Sequence, residues 1–186
     1  RDHADRPVID SETAAKIPHI VKTVNELPVI SDMLRTGQKE VSFFKRDPDT
    51  GLLLKARIDL MSTADDGTTY IADFKKVRRG YARPRYFGTI VWDRGYDIQD
   101  SFYLEITGAS KFIMVPMEDA APFDADTYEL DEGDPAEARL KWRALLDRFF
   151  EAQQSGQWPG YQRGVKRVKL PAWAKNKEEQ PPEIIY

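Results

Sequence analysis

Lys55-Ala56-Arg57-Ile58-Asp59 and Tyr70-Ile71-Ala72-Asp73-Phe74-Lys75 read as two strands on either side of the turn-forming Asp65-Asp66-Gly67. Side chains two apart on a strand share a face, so Asp73 and Lys75 project together. A hairpin between the two strands brings Asp59 beside them. Ile58, Leu60, Tyr70, Ile71, Ala72 and Phe74 are mostly apolar, so these charges sit within strands that look buried. Upstream, Glu40 to Lys45 reads as a strand. Arg46-Asp47-Pro48-Asp49-Thr50-Gly51 is a turn, Leu52 to Leu60 the returning strand and Thr68 to Phe74 the third. The expectation is an antiparallel three-strand meander, with Glu40 reaching the same end as Asp59.

Carboxylates crowded beside one another repel, and a cation between them relieves that repulsion. Oxygen donors select a hard divalent ion, Mg²⁺ first and Mn²⁺ as the alternative. Such an ion polarises a phosphoryl oxygen and acidifies a bound water, while a Lys ammonium orients the water and offsets developing negative charge. Together these groups suit phosphodiester hydrolysis. The plainer alternative is a surface hairpin with an Asp–Lys cross-strand pair.

Around this centre, helical spacing of Ile17, Ile20, Val21, Val24 and Leu27 predicts a helix within 12–35, with Ser11 as its N-cap. A long helix is expected from about Thr89 or Asp93 to Thr107, ended by Gly108, with Val91, Ile98, Phe102, Leu104 and Ile106 inward. Lys111 to Met117 reads as a buried strand and Thr127 to Leu130 as a short one. Asp134-Pro135 opens a last helix to about Gln154, with Leu140, Leu145, Leu146, Phe149 and Phe150 inward. The layout is one α/β domain over 1–186, with 1–11 a loose lead-in and 156–186 an extended C-terminal segment. At 186 residues the chain can bury a sizeable core.

No apolar run approaches the roughly 20 residues that cross a bilayer. The sequence holds no Cys, which excludes disulfides and thiolate sites and fits a cytoplasmic location. With two His, His3 and His19, a His-rich zinc site is disfavoured. The net charge of -3 hides a polarised distribution. Nine acids and no base lie between Glu118 and Glu137, whereas seven bases against one acid lie between Lys75 and Arg94. Six more bases and no acid lie between Ser155 and Lys177. A near-neutral protein can therefore present one strongly positive face, although charge runs are also ordinary solvated surface.

Asp59, thirteen residues, then Asp73-Phe74-Lys75, after a meander and before a long helix, resembles the signature of the PD-(D/E)XK nucleases. The chain resembles still more closely the C-terminal nuclease domain of the RecE (exonuclease VIII) family and its phage relatives. That resemblance rests on Glu40-Val41-Ser42-Phe43-Phe44, Asp47-Pro48-Asp49-Thr50-Gly51-Leu52, Lys55 to Asp59 and Asp73-Phe74-Lys75. It extends to Tyr96-Asp97-Ile98-Gln99-Asp100-Ser101-Phe102-Tyr103, Trp158-Pro159 and Leu170-Pro171-Ala172-Trp173-Ala174. It implies a restriction-endonuclease-like core, a mixed sheet flanked by helices. Asp59, Asp73 and the backbone carbonyl of Phe74 would hold the metal, Lys75 the nucleophilic water, and Glu40 would assist. Gln99 and Tyr103, four apart on one helix face, would lie over the scissile region, though helix packing alone gives the same spacing. Arg57, Arg78, Arg79, Arg83 and Arg85 would contact DNA.

The chain departs from the pattern at Ile58, where the family often has Pro or Gly, and at Lys76, where Ser or Thr usually follows the lysine. Neither His3 nor His19 has the Gly-x-x-x-His-like context of the relatives' metal-binding histidine. The resemblance implies a Mg²⁺-dependent exodeoxyribonuclease acting on double-stranded DNA ends, 5′ to 3′, with a homo-oligomeric ring and a RecT-like single-strand annealing partner. An endonuclease on the same scaffold and a non-catalytic DNA-binding domain are the alternatives.

Overall fold

The computed structural model describes residues 9–131, 134–160 and 164–169. Two helices come first, α1 (Ser11–Asn25) and α2 (Pro28–Thr36). Pro28 has no amide hydrogen to continue a ladder and sits at the first position of α2, so the expected single segment is two helices. The N-cap of α1 is Asp10 rather than Ser11, its carboxylate accepting the Thr13 amide at 2.8 Å. Only Val24 of the expected apolar face is buried, while Ile17 and Val21 are exposed.

The meander follows as β1 (Gln38–Arg46), β2 (Leu53–Thr63) and β3 (Thr69–Val77). Gly37 admits the chain into it. A Cβ there would meet the carbonyl oxygens of Met33 and Met61 at 2.5 Å, closer than a side chain tolerates. The expected long central helix is two, α3 (Pro84–Arg94) and α4 (Tyr96–Thr107), parted by Gly95 at φ 66. β4 (Lys111–Glu118) then runs parallel to β3, completing a sheet ordered β1-β2-β3-β4. The strand expected at 127–130 is reduced to isolated bridges of Tyr128 with Met114 and Ala125 with Met117. α5 (Asp134–Ser155) closes the described fold.

The centre of the sheet is covered on both faces, while the edge strand β1 has no buried residue. Val24, Ile30 and Met33 of α1 and α2 pack with Leu60, Ala72, Ile113 and Val115 on one side. Phe87, Val91 and Ile106 of α3 and α4 pack with Ile58, Ile71, Phe112 and Met114 on the other. This is the restriction-endonuclease-like α/β core that the sequence implied. α5 packs on α4 through Ala138 and Trp142, whose indole donates to the Ser101 hydroxyl at 3.2 Å. The inward face expected for α5 is corrected here: Leu140, Leu145 and Phe149 are exposed, and Leu140 is 72% so. Arg143 sets that rotation by reaching the buried Asp47 and, at 2.9 Å, Asp49 of the β1–β2 turn. Burial opposes the Asp47 charge, yet the Thr50 hydroxyl, Arg143 and the Thr50 amide hold its pKa down to about 2. Among the described residues, no helix is long and apolar enough to cross a membrane.

Candidate active site

The β2–β3 ladder stops at the pair Leu60 and Ala72, although β2 continues to Leu53 along β1 and β3 continues to Val77 along β4. Beyond that pair the two strands diverge. In register, Asp59 faces Asp73, and the missing next rung would join Ile58 to Phe74. The Asp59 carboxylate replaces it, accepting the Phe74 amide at 3.0 Å. Amide and carbonyl of one strand residue point to the same edge, so the Phe74 carbonyl also faces the opening. The side chains of Asp73 and Lys75 project toward α4, as the period of two requires.

α4 roofs this opening. The Gln99 side chain bridges both charges, its amide donating to Asp73 Oδ2 at 2.6 Å and its oxygen accepting from Lys75 Nζ at 2.5 Å. Lys75 Nζ lies 2.5 Å from Asp73 Oδ1 and 4.1 Å above the centre of the Tyr96 ring. Asp73 and Lys75 are only 7% and 8% exposed, whereas Asp59 is half-buried and gives access from solvent. Burial raises the Asp59 pKa, the Phe74 amide opposes, and the charges of Asp73 and Glu40 raise it further. Burial, and after it the charges of Asp73 and Asp59, also raise the Tyr103 phenol.

The residues named from the sequence fall into two groups. Asp59, Asp73, Lys75, the Phe74 backbone, Gln99 and Tyr103 converge at the fork. Glu40 stands opposite Asp59 in register but turns outward and pairs with Arg57. Its φ of 58 is rare for a residue with a side chain and marks local backbone strain beside the site. Arg78, Arg79, Arg83 and Arg85 are exposed, on the loop after β3 and the start of α3. Tyr96 was not foreseen, although its position three before Gln99 places it on the same helix face. His19 stacks on Phe123, with ring centroids 5.0 Å apart, and packs rather than ligates. His3 and Leu170 to Ala174 lie outside the described residues.

Could this opening hold a metal? Among the described residues no three His, Asp or Glu side chains gather. The donor set is two carboxylates facing each other and one backbone carbonyl, all hard oxygens. That suits Mg²⁺ or Mn²⁺, which take one or two carboxylates and fill the remainder with water and phosphate. Burial first, and the neighbouring Asp73 charge after it, raise the Asp59 pKa, and a cation between the two carboxylates would oppose both effects. The residues therefore fit a hard divalent ion held by Asp59, Asp73 and the Phe74 carbonyl.

A carboxylate pair and a lysine seated where two strands part, beneath a helix that supplies a glutamine, agree with the family whose pattern matches residues 5–170, described as a PDDEXK-like domain of unknown function (DUF3799). The chain belongs to that family. Among solved structures, this PDDEXK-like domain is similar to a Eubacterium rectale protein named a "Putative exonuclease", with a TM-score of 0.61 and 17% identity. The match covers 87% of this chain and 64% of that one. An alkaline exonuclease from Laribacter hongkongensis is a more distant likeness, with a TM-score of 0.39, 15% identity, and coverage of 80% and 75%. The first of these likenesses concerns the fold alone. No curated protein matches.

Proposed function

We propose that this PDDEXK-like domain is a divalent-metal-dependent exodeoxyribonuclease that degrades linear duplex DNA from its ends, 5′ to 3′, leaving 3′ single strands for recombination. The observation that carries the reading is the convergence of Asp59, Asp73 and Lys75 at the β2–β3 fork beneath Gln99. An ammonium has three donors. Asp73 and Gln99 take two, leaving one to orient a water or steady a phosphate oxygen. Gln99 holds both partners so that neither side chain must be ordered when substrate arrives. Bound there, Mg²⁺ or Mn²⁺ supplies Lewis acidity at the phosphoryl oxygen and an acidified water. The water oxygen bonds to phosphorus, the P–O bond to the leaving oxygen breaks, and the proton shed by the water is balanced, through solvent, by the one that the leaving oxygen takes up.

Arg78, Arg79 and Arg83 support a DNA substrate. They are exposed, and among the described residues no acid pairs with them. Arg78 is three residues beyond Lys75, about 10 Å along an extended chain. That distance is about three steps of one DNA strand along the duplex axis. Arg57 pairs with Glu40 on the exposed side of β1 and β2, and Arg85 lies in the first turn of α3, two residues after Arg83. The name of the Eubacterium rectale protein points the same way. A homo-oligomeric ring and a RecT-like annealing partner belong to the same reading, and light scattering of the pure protein tests the ring.

The test uses linear and covalently closed circular duplex with Mg²⁺. Loss of the linear form with the circle intact is the expected result. Cleavage of the circle favours an endonuclease. Binding in EDTA without hydrolysis in Mg²⁺ or Mn²⁺ favours a non-catalytic DNA-binding domain.

A further inference from the structure

Glu118, the last residue of β4, is 1% exposed. Burying a carboxylate is costly unless its charge is answered. Among the described residues no Lys or Arg answers it. Its Oε1 instead accepts the Gly80 amide at 2.7 Å, with the Ala82 amide at 3.5 Å. Gly80, at φ 81, turns the chain back so that both amides face the carboxylate. The Tyr128 hydroxyl donates to the Ala82 carbonyl at 2.8 Å, closing the loop's other side.

The loop held in this way runs from Arg78 to Arg83 and joins Lys75's strand to α3. Its three arginines stand on the surface while their counter-charge lies underneath, bonded to backbone and not to guanidinium. A surface acid in that place would pair with the arginines and withdraw them from other anions. A buried one fixes the loop and leaves the guanidinium groups free.

We propose that Glu118 is a positioning residue that holds the Arg78–Arg83 loop as a rigid cationic platform for the DNA backbone beside Lys75. This rests on the DNA-nuclease reading above and adds to it a residue from outside the fork. Without Glu118 the loop's peptide groups turn to water, and the arginines contact phosphate only after being ordered by it.

The experiment compares the parent with Glu118→Ala, Glu118→Gln and the triple variant Arg78→Ala/Arg79→Ala/Arg83→Ala. The readouts are binding to linear duplex in EDTA across a salt series, and kcat and KM in Mg²⁺. In Glu118→Ala, KM rises roughly tenfold, the scale of one hydrogen bond, with kcat at saturating DNA retained. The slope of log affinity against log salt becomes shallower by roughly two to three, as in the triple variant. Glu118→Gln, whose amide oxygen can accept the same N–H, behaves as the parent. Unchanged binding in Glu118→Ala overturns the proposal, as does a loss of kcat with stability at unchanged KM, or an equal defect in Glu118→Gln. Should Glu118→Ala fail to fold, hydrogen exchange in the parent still decides, because a rapidly exchanging Gly80 amide overturns the proposal. If the parent binds no DNA, or the triple variant binds as the parent does, the nuclease reading of this loop fails, independently of Glu118.

Discussion

Removing the carboxylate of Asp73 should destabilise the metal-free protein far more than its size suggests. Asp73 and Lys75 are nearly fully buried and 2.5 Å apart. At an effective dielectric of about 20 their attraction is about 7 kcal/mol, most of which offsets the cost of desolvating both ions. Taking away one partner leaves that desolvation without its compensation. Asp73→Ala should therefore cost about 3–5 kcal/mol, since it strands the ammonium on Gln99 and the Tyr96 ring. Lys75→Ala should cost about 2 kcal/mol, because Asp73 keeps the Gln99 amide. The double variant should be no less stable than Asp73→Ala, which makes the coupling roughly 2 kcal/mol or more. Urea unfolding of the four proteins at pH 7 in EDTA measures it. Costs that add within about 0.5 kcal/mol would refute a tightly coupled pair.

Asp100 is buried, its Oδ1 has no hydrogen-bond partner among the described residues, and burial, with Glu129 and Asp97 adding, pushes its pKa up to about 7. A folded value above the unfolded one means stability present below about pH 4 and lost as the pH climbs through 7. Asp100→Asn should therefore gain on the parent as the pH rises from about 4 to about 7, by roughly 4 kcal/mol in all. A gap between the two urea curves that stays constant with pH contradicts this. Gln99→Leu should lower kcat by up to roughly 100-fold by unseating both Asp73 and Lys75, and steady-state rates at saturating DNA check it. Millimolar Mg²⁺ should raise the Tm of the parent and of Lys75→Ala but not of Asp59→Asn. A shift that survives in Asp59→Asn, followed by differential scanning fluorimetry, places the ion elsewhere.

Much of the site could be read from sequence because it depends on short periods. The alternation in Asp73-Phe74-Lys75 fixes two charges on one face of any strand, and four residues between Gln99 and Tyr103 fix one face of any helix. The turn chemistry at 46–51 and 65–67 gave the meander and its antiparallel sense. What was hidden depends on distant partners. The rotation of α5 follows from Arg143 reaching Asp47 and Trp142 reaching Ser101, contacts 96 and 41 residues apart in sequence. Its Leu and Phe residues follow a helical period that these contacts turn outward. The outward turn of Glu40 comes from a positive φ that no neighbouring residue announces. Gly95 could have lain within a helix, and only its left-handed conformation separates α3 from α4. Glu118 looked like the first member of a solvated acidic run, yet as the end of β4 it is drawn inside.

The central claim is that one pocket, built from Asp59, Asp73 and Lys75, cuts DNA. Its most direct measurement is nucleotide release from linear duplex by the pure protein and by Lys75→Ala at matched DNA occupancy, with Mg²⁺ and then with EDTA. The account predicts release by the parent in Mg²⁺, none in EDTA, and a rate in Lys75→Ala lower by at least roughly 100-fold with DNA binding intact. Digestion by Lys75→Ala at the parent rate, or by the parent in EDTA, would contradict it.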